Sequence, residues 1–243
     1  MPIPRLYSPY KIKIHDEIMI NSKMTNYVHN ILRMNHGDIV QFFNGTNFVF
    51  NAKILEIYKT HTLVKIISIH EENRESPLHI HLGQVITRGY RIKFAIQKSV
   101  ELGVNIITPL FSERCGVKIN KLDLEKKIQY WKQIAITACT QCGRNLIPKI
   151  RFPMKLKQWC AESAPDFKIT FSPNSRQKIS ILPKKIQQLR LLIGPEGGLS
   201  DDEITTTADY DFTNISLGPR ILRTETASMT AITILQAYFG DLT

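Results

Sequence analysis

Apolar and polar residues alternate with a short period through the first third of the chain. Residues 38–43 (Asp-Ile-Val-Gln-Phe-Phe) predict a strand, Asn44-Gly45 a hairpin turn, and residues 47–57 and 63–69 further β segments. Between them Tyr27, Val28, Ile31 and Leu32 fall at helical spacing and predict a short helix over 23–34. A polar run at 71–77 ends in Pro77 and marks the best linker, so the predicted domains are 1–74 and 75–243. Beyond it strands and helices alternate. Strands are predicted at 78–86, 106–111, 168–171, 189–193 and 212–217. Helices are predicted at 90–102, closed by Gly103, at 122–141, burying Leu124, Ile128, Trp131 and Ala135, and at 225–239. About five strands alternating with helices predict a parallel α/β sheet.

Two glycine-bearing loops interrupt this pattern. Leu192-Ile193 ends an apolar run and breaks into Gly194-Pro195-Glu196-Gly197-Gly198, followed by Ser200 with Glu203 three residues on, a helix-capping pair. The second loop is Ser216-Leu217-Gly218-Pro219-Arg220-Ile221-Leu222-Arg223, ahead of Thr224-Glu225. We expect both loops at the C-terminal ends of neighbouring strands, where an open α/β sheet places its ligand. A purely structural strand-to-helix turn is the alternative for any one Gly-Gly. Neither Gly-x-Gly-x-x-Gly nor Gly-x-x-x-x-Gly-Lys-Ser/Thr occurs in the chain, which argues against dinucleotide and ATP sites.

Charge adds a partner to this picture. The 243 residues carry a net charge of +11, and the stretch from Arg144 to Arg190 holds eleven basic residues against only Glu162 and Asp166. Such an imbalance points to a polyanion, RNA or DNA, rather than a membrane, because no clean amphipathic helix carries it. Cysteine and histidine change little. Cys139-Thr-Gln-Cys142 has half the spacing of a zinc site without a second pair, and His79 and His81 share one face of a strand as structural residues. No metal is expected. No apolar run approaches the ~20 residues of a membrane helix, and the N-terminus lacks a signal-peptide core, so the expected location is the cytoplasm.

Leu-Ile-Gly-Pro-Glu-Gly-Gly-Leu-Ser-x-x-Glu (192–203), with Ser-Leu-Gly-Pro-Arg-Ile-Leu-Arg-Thr-Glu-Thr-Ala (216–227), resembles the RsmE family of ribosomal-RNA methyltransferases. Further similarity reaches Val28-His29-x-Ile-Leu-Arg33 with Gly37-Asp38, Gln97-Lys98-x-x-Glu101-Leu102-Gly103-Val104, Ser112-Glu113-Arg114, and Gln141-x-x-Arg144. At the last of these Thr140 and Cys142 depart from the family's usual glutamate and serine. The resemblance implies a C-terminal SPOUT domain, an α/β-knot whose last helix threads a trefoil through the parallel sheet. Periodicity alone would have predicted an unknotted doubly wound sheet. It also implies a small PUA-like β-barrel ahead of that domain, S-adenosyl-L-methionine as cofactor, S-adenosyl-L-homocysteine as product, and a homodimer. The implied reaction is methylation of N3 of one uridine in 16S rRNA, in the small ribosomal subunit. The alternatives are a knotted methyltransferase acting on another nucleotide or on ribose, and a non-catalytic rRNA-binding assembly protein.

Carried onto this sequence, the family's cofactor site covers Leu192, Ile193, Gly194, Pro195, Glu196, Gly197, Gly198, Ser216, Leu217, Gly218, Ile221 and Leu222. Bare backbone would meet the cofactor's polar edges, and Leu217, Ile221 and Leu222 would wall its adenine. Uridine N3 must lose a proton, and arginines could stabilise the oxygen charge that results. Arg220 and Arg144 are the first candidates, with Glu196 or Glu225 as late proton acceptors. Arg33, Arg114, Arg144 and Arg223 are the expected RNA contacts, each with a salt bridge or helix cap as its plainer role.

Overall fold

A computed structural model of the chain describes residues 3–117, 121–164, 167–173 and 175–242; Asp166, counted in the charge balance above, lies outside them. The chain divides into two compact units, Met1–Glu75 with Cys139–Ile147, and Ser76–Ala138 with Pro148–Thr243.

The first unit is a mixed five-stranded sheet. Its elements are β1 (Arg5–Tyr7), β2 (Glu17–Ile20), α1 (Ser22–Thr25), β3 (Ile39–Phe43), β4 (Phe48–Ile57) and β5 (Thr62–Glu71), with strand order β1-β3-β4-β5-β2. Only β1 and β3 run parallel. Gly45, at φ +86°, turns β3 into β4 as Asn44-Gly45 predicts. Alternate residues Val40, Phe42, Phe50, Ala52, Ile54, Val64 and Ile66 form the core.

The helix expected over 23–34 is different in kind. After α1 the chain winds as a π-helical turn, Asn26–Ile31, in which Leu32 N donates to Tyr27 O over five residues (3.0 Å). The wider winding breaks the 3.6-residue stripe, so Val28 is buried while Tyr27 and Ile31 are exposed. Cys139–Ile147 joins this unit through polar contacts. Arg5 donates to Asn145 Oδ1 (2.7 Å) and to the Arg144 carbonyl (3.0 Å), and Asn145 Nδ2 donates to Glu72 O (2.6 Å).

The further elements are β6 (His79–Val85), α2 (Tyr90–Glu101), β7 (Ile106–Phe111), α3 (Lys121–Cys142, which leaves the second unit after Ala138), β8 (Lys149–Ile150), β9 (Met154–Lys155), α4 (Leu156–Cys160), β10 (Phe167–Phe171), β11 (Gln188–Ile193), α5 (Asp201–Asp209), β12 (Thr213–Ile215) and α6 (Thr224–Phe239). Every pairing among these strands is parallel, in the order β12-β10-β11-β6-β7-β8, with β9 also on β7. The alternation predicts this sheet, but with about five strands rather than seven, because the two-residue β8 and β9 are too short to show a period.

Strand order decides where a ligand can sit. From β6 the chain moves through α2 to β7 on one side; from β11 it moves through α5 to β12 on the other. Since β6 and β11 are paired neighbours, their C-terminal loops part company there, and a crevice opens at this switch point. The last helix closes onto it. Gln84 at the end of β6 donates to Thr224 Oγ1 (3.2 Å), Ser228 donates to Gln84 (2.5 Å), and Thr224 donates to the Gly194 carbonyl (2.7 Å). At the far end of α6, fully buried Gln236 accepts from Ser76 (2.6 Å) and donates to Leu102 O (2.9 Å). Gly103 must be glycine here: at φ +87° a Cβ would stand 2.7 Å from the Gln236 amide.

Candidate functional site

Gly194, Pro195, Glu196, Gly197 and Gly198 leave β11 in a tight turn, with Gly198 N donating to Pro195 O (3.0 Å). Gly198 has φ +71° and nothing within 4 Å of the place a Cβ would take. Leu192 and Ile193 are buried beneath the turn. The predicted capping pair forms: Ser200 Oγ accepts from Glu203 N (3.2 Å) while Ser200 N donates to Glu203 (3.1 Å). The same Glu203 accepts from the backbone of Glu113 (2.9 Å), which fixes the Ser112-Glu113-Arg114 segment beside the turn.

The second loop, 216–222, follows β12. Gly218 has φ +103° and also faces open space, and its N–H is taken by Ser216 Oγ (3.2 Å). Leu217 and Leu222 are half-buried, but Ile221 is 85% exposed and walls nothing in the chain. The two loops were expected on neighbouring strands. Instead β10 lies between β11 and β12, so a third segment enters the site: Ser175 donates to Asn214 O (2.7 Å) and Ser216 N donates to Gln177 O (2.8 Å). No local pattern distinguishes this segment, since strand order is set by long-range pairing.

Both candidate proton acceptors face one arginine that sequence reasoning missed. Arg91, in the first turn of α2, pairs with Glu196 and lies 3.9 Å from Glu225 Oε1. Its own proton is held more tightly than usual by the hydrogen bond to Glu196. Glu225 is 6% exposed, at the start of α6, and its Oε2 has no hydrogen-bond partner among the described residues. Neither carboxylate is a bare base.

The candidate arginines separate into two kinds. Arg144, 4% exposed, donates Nε to Glu75 (2.9 Å) and pairs a second time with the same carboxylate, all within the first unit. Arg33 is exposed in the same unit with its backbone at φ +55°, an uncommon conformation for a residue with a Cβ. Arg114, Arg220 and Arg223 are exposed in the second unit, and none meets a carboxylate among the described residues. Arg114 donates instead to the carbonyls of Gly197 (3.2 Å) and Leu199 (3.3 Å). The loops after β6, β7 and β11 enclose a cavity of about 240 Å³, lined by Thr87, Arg88, Arg114, Cys115, Glu196 and Gly197 among others.

The basic stretch from Arg144 to Arg190 is less of a surface than its charge suggests. Besides Arg144, Arg190 is fully buried in β11, and Arg151 and Arg190 share the carboxylate of Glu162 (2.6 and 3.2 Å). His81, opposite Arg190 in register, accepts from Trp159 Nε1 (3.2 Å) and meets Thr108 Oγ1 (2.8 Å). Burial, and then the Arg190 charge, push its pKa down to about 3, so it is a neutral structural histidine. Burial pushes the Cys139 thiol up to about 12 and Cys160 up to about 11; all four cysteines are free. Among the described residues no group of three His, Cys, Asp or Glu could hold a metal ion, and no helix is long and apolar enough to cross a membrane.

Residues 74–236 match the model of the RNA methyltransferase domain family. The ribosomal RNA small subunit methyltransferase E of Buchnera aphidicola subsp. Schizaphis graminum is 48% identical over 242 residues, 99% of this chain and 98% of that one. A crystal structure of the Neisseria gonorrhoeae enzyme of the same name, bound to S-adenosyl methionine, superposes with a TM-score of 0.92 at 31% identity over 100% of both chains. A Legionella pneumophila structure in complex with the cofactor SAM superposes at 0.95 with 43% identity, again over 100% of both. This chain belongs to the ribosomal RNA small subunit methyltransferase E family of RNA methyltransferases.

Proposed function

We propose that this chain transfers a methyl group from S-adenosyl-L-methionine to N3 of a uridine in 16S rRNA, within the small ribosomal subunit. The observation that carries the reading is the pair of loops at the C-terminal edge of the parallel sheet. Gly198 and Gly218 both hold positive φ and leave open the space a side chain would fill. The surroundings fit a ligand with an apolar ring and several polar edges. Ile221 offers exposed apolar surface, the turn offers bare backbone, and Glu225 keeps a buried oxygen without a partner among the described residues. When bound, the cofactor supplies a methyl group on a sulfonium and leaves as S-adenosyl-L-homocysteine.

The chain's own residues then hold and orient. Gly194, Pro195, Gly197, Gly198, Ser216 and Gly218 present backbone to the cofactor, with Leu217, Ile221 and Leu222 around its adenine. Arg220, exposed and without a carboxylate partner among the described residues, stabilises the oxygen charge that forms as N3 loses its proton. Arg144 could do so only after releasing Glu75, so we place Arg220 first. Arg91 pairs with Glu196 and stands 3.9 Å from Glu225, so that contact must open before Glu196 can take a proton, which favours a late transfer to Glu196 or water. Arg33, Arg114 and Arg223 meet RNA phosphate.

The same reading includes a PUA-like barrel in the first unit, a trefoil knot around α6, a homodimer that covers Ile221, and action in the cytoplasm. The test is to incubate the protein with labelled S-adenosylmethionine and small subunits lacking the modification, then identify the nucleoside by mass spectrometry. N3-methyluridine is expected. A methyl group on another base or on ribose would move the specificity, and RNA binding with no transfer would leave an assembly protein.

A further inference from the structure

The cavity at the switch point is walled by two arginines whose charge no carboxylate among the described residues balances. Arg88 follows β6, and its Nε donates to the Gly116 carbonyl (2.8 Å). Arg114 follows β7 and donates to the carbonyls of Gly197 and Leu199. Backbone carbonyls aim these guanidiniums but carry no formal charge. Among the described residues neither arginine has a carboxylate within ion-pair distance, and the one acidic side chain in the cavity wall, Glu196, is already paired with Arg91. Thr87, buried in the same wall, has a hydroxyl with no hydrogen-bond partner among the described residues. Two cations around about 240 Å³ describe a receptor for an oxyanion.

We propose that this cavity is a subsite for one phosphate of the RNA substrate, gripped by Arg88 and Arg114 together, a reading that rests on the RNA methyltransferase assignment above. Charge balance selects RNA over the cofactor's carboxylate. S-adenosylmethionine carries an ammonium, a sulfonium and a carboxylate, a net charge of +1, so placing it alone beside two unbalanced arginines gathers like charge. A phosphodiester from a polyanion relieves that repulsion. Substrate and cofactor would then bind cooperatively across the turn at 194–198, because the RNA phosphate screens the arginines from the sulfonium. Arg88 lies outside the sequence-predicted site, since nothing in Thr87-Arg88-Gly89 marks it until the fold brings it opposite Arg114.

The experiment measures affinity for unmodified small-subunit rRNA across a range of salt, for wild type, Arg88→Gln, Arg114→Gln and the double variant. Cofactor affinity is measured by calorimetry on the same proteins. Each single variant should weaken RNA binding several-fold and lower the slope of log affinity against log salt by about 0.7 to 0.9. The double variant should lose no more than either single one, because both arginines serve one phosphate. Cofactor affinity without RNA should not fall, and should rise slightly as the like charge is removed, while an unchanged denaturation midpoint reports an intact fold. Unchanged RNA affinity and slope would overturn the proposal. So would a tenfold loss of cofactor affinity with an unchanged RNA slope, which would give the arginines to the cofactor. A failure of methyl transfer by wild type would be read separately, in the nucleoside assay, and would strike the broader function instead.

Discussion

The parallel sheet keeps its arginines in two opposite ways. Under α4 the arginines are answered inside the fold: Arg190 has its guanidinium carbon 4.0 Å from the centre of the Trp159 ring, shares Glu162 with Arg151, and donates to the Trp159 carbonyl (2.7 Å). Gly83 lets the indole come this close, since a Cβ there would stand 2.7 Å from the ring. At the C-terminal edge, Arg88, Arg114, Arg220 and Arg223 meet no carboxylate among the described residues. Residue type is the same; the partner differs. A cation neutralised by its own chain is architecture, and one left to solvent is available to a ligand. Net charge along the sequence cannot separate the two.

The largest expected effect breaks the sealed region. Trp159→Ala removes a fully buried indole, its stacking on Arg190 and its bond to His81, and should cost about 3–5 kcal/mol in chemical denaturation. Cofactor affinity, measured where the variant is still folded, should hold.

Acid should attack the same region. His81 titrates near 3 in the fold instead of 6.5, so the unfolded chain binds the extra proton first; stability is full above pH 6.5 and declines as pH falls toward 3. The slope is at most about 1.4 kcal/mol per pH unit from this one group. Glu162, held below the usual carboxylate range by its hydrogen bond to Arg151, adds stability above that range that is also lost as pH falls. Denaturation midpoints from pH 8 to 4 should therefore fall on the acid side, and His81→Gln should flatten the limb that starts near 6.5.

Smaller in stability, but larger in binding, is Gly218→Ala. At φ +103° the new side chain is strained by about 1–2 kcal/mol, and its methyl enters the open space of the second loop. Calorimetry should show cofactor affinity reduced about tenfold, with His81 and the sealed network undisturbed. Unchanged affinity would move the cofactor elsewhere. Arg91→Ala should do least, a few-fold in cofactor affinity, because its pair with Glu196 is partly exposed.

How much of this the sequence showed depended on distance along the chain. The Ser200–Glu203 cap, the limits of β7 and the stop at Gly103 are local and were legible from spacing. So were both glycine loops. What was missed depends on pairing between distant residues. The place of β10 between the two loops, Arg91 facing Glu196 and Glu225, and Glu75 as the partner of Arg144 are all set by the fold. Spacing carries no record of them. The π-helical turn at Asn26–Ile31 failed for another reason: its residues match an ordinary helical stripe, and only the hydrogen bonds reveal the wider winding.

Single-turnover methyl transfer by Arg220→Ala, at saturating cofactor and small subunits, tests the division between the two regions most directly. Predicted is a rate about a hundredfold below wild type, with the wild-type cofactor affinity and the wild-type denaturation midpoint. A wild-type rate, or a slow one explained wholly by lost cofactor affinity, would contradict it and return the chemistry to another residue.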